Sequence, residues 1–246
     1  MNKNAPVNKE SKRFRWSHHH PLHRTLVKTY NKMASKVPFS IKYRIGAIRR
    51  KNRYPYELLE TNMTVVQVGA PIDTLYSGRS RAMHFALLTK LGKCIIIEPD
   101  KSSLKAFSLM KEKKELENLE FVHKGAWSER KTLKFYIDPS HPATNFTSGV
   151  RTYTSKEMSS YHEVEMEADS IDNILEQKNI AKVDLVSITT NGAEVEILKG
   201  MKKTISNGLK YICLARTGDK YIELMNSCGY VLFAHDDRGY TFRRDE

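Results

Sequence analysis

The sequence predicts an α/β domain built on a mostly parallel sheet, with helices on both faces and an antiparallel hairpin at one edge. Three observations carry that prediction. From Met63 onward short β-rich runs alternate with helical stretches, the pattern of βαβ units. Runs such as "TVVQVG" and "KCIIIEP" are almost continuously apolar, as strands covered on both faces must be. The last two strands are separated only by "DDRG", long enough for a tight turn and too short for a crossover.

Taken in order, "MNKNAPVNKESKRFRWSHHHP" is polar and without period, and residues 1–21 read as a disordered basic leader. His18, His19, His20 and His23 lack a second group of ligands, so no metal is expected. Residues 22–56 read as a basic amphipathic helical extension broken at Pro38, with Leu26, Tyr30 and Met33, then Ile41, Ile45 and Ile48, recurring three or four apart. Such helices lie on a membrane interface or cover a core with their apolar side. Packing is the expectation for the apolar side, which leaves the basic side to a surface.

Residues 57–246 form the main domain. "SGRSRAMHFALLTKLG" reads as a helix capped by Ser80, with Met83, Ala86, Leu87 and Leu91 on one face and Gly92 as its stop. Asp100 caps the next helix, "DKSSLKAFSLMKEKKEL". "LEFVHKGAW", "KTLKFYI" and "HEVEMEA" are further strands, and "DSIDNILEQ" begins a short helix. "VDLVSITT" is a strand leading into a helix with Ile197, Leu198, Met201 and Ile205 on one side and Gly208 near its end. "YICLAR", "KYIELMNSCG", "YVLFAHDD" and "YTFRR" complete the alternation.

Charge is unevenly spread. Residues 1–56 hold 15 Lys or Arg against one acid, Glu10, or +14, and the remaining 26 bases and 27 acids give −1 to residues 57–246. The basicity belongs to the extension, which suits an anionic membrane surface or nucleic acid. No run approaches the roughly 18 apolar residues of a membrane span. Cys94, Cys213 and Cys228 are odd in number and form no C-x-x-C pair, the usage of buried thiols in a reducing, cytoplasmic setting.

In an open parallel sheet ligands bind beyond the carboxyl ends of the strands. Gly69, Glu98, Gly125 and the turn Thr189-Thr190-Asn191-Gly192 all stand there. Gly69 allows close approach to backbone N–H groups. Glu98, about 29 residues on, can accept hydrogen bonds from two ribose hydroxyls, which implies a nucleoside ligand. No G-x-G-x-x-G opens a helix, which disfavours NAD.

"VVQVGA", "IIIEPD", "SIDNIL", "VDLVSITTNGAEVEILKGM" and the terminal "CGYVLF" resemble, in order and spacing, the FkbM-type methyltransferases, from about Met63 to Phe242. The most specific piece is "NGAEVEILKG". The resemblance implies a Rossmann-like class I methyltransferase fold, a mostly parallel seven-stranded sheet with an antiparallel terminal hairpin, using S-adenosylmethionine. It implies that the loop after Gly69 borders the cofactor's methionine end, that Glu98 borders its ribose and that residues near Gly125, Ala126 and Trp127 border its adenine; Gln67, Gly69, Ala70, Gly78, Pro99 and Asp100 complete the expected cofactor-binding set. Family members methylate hydroxyls of sugars, polyketides and other small metabolites. Gln67 stands where the first strand usually carries an acid, and Ser187, Thr189 and Asn191 stand where the fourth-strand motif has Lys, Asp and Glu.

An uncharged turn can align an acceptor but cannot take a proton near neutral pH. Thr189 and Asn191 are therefore aligning residues, and a base must come from Glu194, His141 or His162. Asp172 is expected to serve a helix start. The expected function is O-methylation of a small molecule, glycan or lipid, peripheral at a membrane, with loop residues 137–162 defining the acceptor. The alternatives are a non-catalytic S-adenosylmethionine-binding protein and an RNA or protein methyltransferase, the latter weakened by the near-neutral domain.

Overall fold

A computed structural model describes residues 6–9, 25–26, 29, 32–33, 36–150, 158–236 and 239–245. The histidine cluster and the "DDRG" centre, residues 237–238, lie outside the described residues. The elements are β1 (Val7–Lys9), α1 (Phe39–Arg50), β2 (Thr64–Val68), α2 (Ile72–Tyr76), α3 (Arg81–Leu88), β3 (Lys93–Ile97), α4 (Lys101–Lys114), β4 (Leu119–Val122), β5 (Gly125–Trp127) and β6 (Lys131–Ile137). There follow β7 (Phe146–Thr147), β8 (His162–Ser170), α5 (Ile171–Gln177), β9 (Leu185–Ile188), α6 (Glu194–Lys199), α7 (Lys202–Ser206), β10 (Tyr211–Leu214), α8 (Asp219–Ser227), β11 (Tyr230–Asp236) and β12 (Gly239–Arg244).

The main sheet runs β1-β11-β12-β10-β9-β2-β3-β4. Its pairs are parallel except those of β12, which is antiparallel to both β10 and β11. This is the Rossmann-like arrangement with a terminal hairpin. Both faces are covered, which is why the central strands read as unbroken apolar runs. Ile95 and Ile97 point into one core with Val66, Val68, Val186 and Ile188. Ile96 points into the other with Val65, Phe85, Phe107 and Leu185. Each fully buried Ile contributes about 1.5–3 kcal/mol relative to exposure.

Helix starts follow their capping chemistry. Ser80 Oγ accepts from the N–H of Met83, and Asp100 Oδ1 accepts from that of Ser102. α3 stops at Leu88 rather than at Gly92, leaving Leu91 81% exposed. Gly92 serves a close approach instead, since a Cβ there would lie 2.0 Å from the Met63 carbonyl oxygen. The helix expected after β9 is broken in two at Gly200. A Cβ at Gly200 would lie 2.1 Å from the Trp127 carbonyl oxygen.

Three further expectations are corrected. The main sheet has eight strands, because Val7–Lys9, in the stretch read as disordered, pairs in parallel with β11. "LEFVHKGAW" is two strands, and β5 leaves the main sheet for a second one ordered β5-β8-β6-β7. Finally, α1 does not pack by its isoleucines. Its buried side is Tyr43, Gly46 and Arg50; Tyr43 Oη donates to the Leu75 carbonyl at 3.1 Å and Arg50 Nη1 to His84 Nε2 at 2.8 Å. Ile41, Ile45 and Ile48 face outward. The near-zero room at Gly46, where a Cβ would lie 2.8 Å from the His84 ring, decides which side of the helix fits.

Candidate active site

A cleft opens where the carboxyl ends of β2, β3 and β9 meet the second sheet, the position at which open α/β sheets bind ligands. It encloses about 600 Å³ of empty space, its open mouth included. The strand ends contribute Gly69, Glu98, Pro99 and Thr189-Thr190-Asn191; β5 contributes Gly125 and Ala126. The opposite wall is Phe135, Phe146, Thr147 and Met166, and the segment Pro142–Asn145 runs along one side.

β2 ends in Gly69 at φ +81°, and a Cβ there would sit 2.6 Å from the Thr189 carbonyl oxygen. Only glycine lets the ends of β2 and β9 close so tightly. Thr189 Oγ1 donates to the Gly69 carbonyl at 2.8 Å and accepts from Gln67 Nε2 at 2.8 Å. Its hydroxyl is thus spent on the junction.

Glu98 is 5% exposed. Its Oε2 accepts from the N–H of Ala70 at 2.6 Å and its Oε1 from that of Asp100 at 3.0 Å. Burial pushes its carboxyl up to about 7, with Asp100 and Asp73 nearby adding to the rise against the opposing backbone N–H bonds. Ala70 and Asp100 therefore act on the cleft through Glu98 rather than by lining it.

The turn after β9 is held from below and from the side. Glu194, fully buried, accepts through Oε1 from Thr190 Oγ1 at 3.2 Å and the Gly192 N–H at 3.4 Å, with Arg216 Nε 3.5 Å away. Asn191 Nδ2 donates to the carbonyls of Ala143 at 3.0 Å and Asn145 at 2.7 Å. That ties the turn to the 138–145 segment, itself laced by Asn145 Oδ1 accepting from the Asp138 N–H. His141, in this segment, is 6% exposed, and its Nδ1 lies 3.0 Å from Oδ2 of Asp73 in the first turn of α2.

Several residues expected here stand elsewhere. Gln67 is fully buried in the β2–β9 junction on the α3 side. Gly78 faces Lys42 of α1, which would lie 2.9 Å from a Cβ there. Trp127 is buried beside Gly200 with Lys131 Nζ 5.1 Å over its ring. Neither Glu194 nor His141 lines the cleft, although Ala193 and Pro142 do. His162 is exposed at the start of β8. Asp172 accepts from the N–H groups of Lys203 and Thr204 and so caps α7.

The wall residues Phe135, Phe146 and Met166, and Asp73 as partner of His141, were not found in the sequence. For Asp73 the only signal was an acid just beyond the Gly69 loop. Among the described residues no group of three or more His, Cys, Asp or Glu can hold a metal. No described helix is long and apolar enough to cross a membrane.

A family model described as the methyltransferase FkbM domain matches residues 67–232, more than half of the chain. Among solved structures, the methyltransferase FkbM from Methylobacillus flagellatus KT is similar with a TM-score of 0.50 and 13% identity, over 89% of this chain and 57% of its own. The chain thus spans a little over half of that protein, and the likeness is one of fold. A precorrin-6y C5,15-methyltransferase from Geobacter metallireducens GS-15 gives a TM-score of 0.41 at 13% identity, over 91% of this chain and 78% of its own. The human methyltransferase 10 domain containing protein gives 0.41 at 11%, over 95% and 100%. No curated protein matches the sequence.

Proposed function

The chain belongs to the FkbM methyltransferase family, and from that premise we propose that it methylates a hydroxyl group of a small molecule, glycan or lipid with S-adenosylmethionine. The observation that carries the reading is the convergence of Gly69, Glu98, Gly125 and Thr189 on one cleft at the strand ends. These residues suit a nucleoside cofactor. Glu98 has carboxylate lone pairs beyond the two held by backbone, and hydroxyl donors would favour its ionised form. Gly69 lets the ends of β2 and β9 close together at the cleft floor, since any Cβ there would meet the Thr189 carbonyl.

Bound there, S-adenosylmethionine supplies an activated methyl group on a sulfonium. The chain supplies alignment and a base. Thr190 and Asn191 line the cleft and orient the acceptor by hydrogen bonds, and Phe135, Phe146 and Met166 keep water from it. We assign the hydroxyl proton to Nε2 of His141, whose Nδ1 is engaged by Asp73; His141 stands behind the cleft lining, so the 138–145 segment must shift to bring its ring to the acceptor. Glu194 is the weaker candidate, since its Oε1 serves the turn.

The test is calorimetric titration with S-adenosylmethionine and its demethylated product, followed by turnover with hydroxylated acceptors. Micromolar binding with a methylated product supports the reading. Binding without turnover on any acceptor points to a non-catalytic binder, and no binding sinks it.

A further inference from the structure

The outward face of α1 carries Ile41, Ile45 and Ile48, which are 49%, 46% and 70% exposed. Spaced i, i+4 and i+7, they form one stripe. This is not a helix waiting to dock on its own domain, because the opposite side is already fastened through Tyr43, Gly46 and Arg50. Arg44 and Arg49, both exposed, flank the stripe on either side. Met33 and Val37, just upstream, are also exposed. The whole stretch 1–56 carries +14, from 15 bases and one acid.

An apolar stripe between cationic flanks, on a helix anchored to a globular body, is what an interfacial membrane helix presents. We propose that α1 docks on a bilayer surface rich in anionic phospholipid, its isoleucines at the acyl boundary and Arg44 and Arg49 among the headgroups. Charge complementarity selects this occupant. A second copy would bring another +14 segment against the first, and nucleic acid would satisfy the arginines while leaving three isoleucines in water. An anionic bilayer answers both features. The helix is joined to the cleft side of the domain: Tyr43 and Lys42 bond carbonyls of Leu75 and Tyr76 in α2, which begins directly after the cleft residue Pro71. The docking surface does not depend on the chemistry proposed for the cleft.

The experiment is co-sedimentation of the full chain with vesicles of phosphatidylcholine alone and of phosphatidylcholine with about a third phosphatidylserine. The chain should sediment with the anionic vesicles only. Ile41→Ser/Ile45→Ser/Ile48→Ser, which leaves every positive charge in place, should bind them about tenfold or more weakly, with an unchanged melting curve because the three side chains are exposed. Arg44→Glu/Arg49→Glu should weaken binding and make it less sensitive to salt. Vesicle binding equal in the triple variant and the parent would overturn the proposal, as would binding indifferent to phosphatidylserine. So would a triple variant whose only change is loss of self-association in light scattering.

Discussion

Nδ1 of His141 lies 3.0 Å from Oδ2 of Asp73, with side chains only 7% and 5% exposed, although the two residues are 68 positions apart. A carboxylate on one ring nitrogen fixes the tautomer and orientation of the imidazole. If His141 is the base, His141→Ala should lower kcat by about 10²–10⁴-fold and leave cofactor affinity nearly unchanged. Asp73→Asn should give an intermediate loss. Unaltered kcat in His141→Ala, measured by methyl incorporation, would remove it from the mechanism.

Glu98 should make cofactor affinity depend on pH. Its carboxyl sits at about 7 in the folded protein against 4.5 ordinarily, so hydroxyl donors must first await its ionisation. Affinity should rise by up to about tenfold per unit as pH climbs towards 7 and level off above it. The same shift acts on stability in the opposite sense. The folded state holds this proton more tightly than the unfolded, so the contribution is complete below about pH 4.5 and is lost as pH rises through about 7. Glu98→Gln should flatten both curves, in calorimetry and in melting.

Glu194 should behave as a brace. Replacing it by Gln keeps an acceptor for Thr190 and Gly192, and turnover should change little. Glu194→Ala should cost about 1–3 kcal/mol by leaving those donors without their acceptor; Arg216, 40% exposed, recovers water and adds little. A loss of several hundredfold in kcat for Glu194→Gln at unchanged stability would restore it as the base.

Asn191→Ala removes both bonds from the β9 turn to the Ala143 and Asn145 carbonyls. The 142–145 segment should then exchange its amide hydrogens faster by about tenfold. The Michaelis constant for the acceptor should rise more than kcat falls. Exchange unchanged in that segment would show that Asn191 does not hold it.

Gly69→Ala forces a side chain onto φ +81° and to within 2.6 Å of the Thr189 carbonyl. The positive φ costs about 1–2 kcal/mol, and the clash adds about 1–3. A clear drop in melting temperature should accompany loss of cofactor binding; Gly149→Ala, with nothing within 4 Å and also at positive φ, +79°, separates the two contributions.

By itself the sequence determined the α/β class, the alternation of strands and helices along the chain and the row of residues at the strand ends, because these follow from short-range regularities. Apolar runs report strands covered on both faces, Ser80 and Asp100 cap the helices that follow them, and "DDRG" admits only a hairpin. Gly69, Glu98, Gly125 and Thr189 were legible for the same reason, since the end of a strand is the mouth of such a sheet. Only the tertiary structure decided that β5 joins a second sheet, that Asp73 meets His141, and that Glu194 lies beneath its turn. Those outcomes rest on pairings across tens of residues, which no local period encodes. The isoleucines of α1 show the limit most plainly: the same three-and-four spacing suits a core or a membrane, and the tight contact of Gly46 with His84 turned that stripe outward.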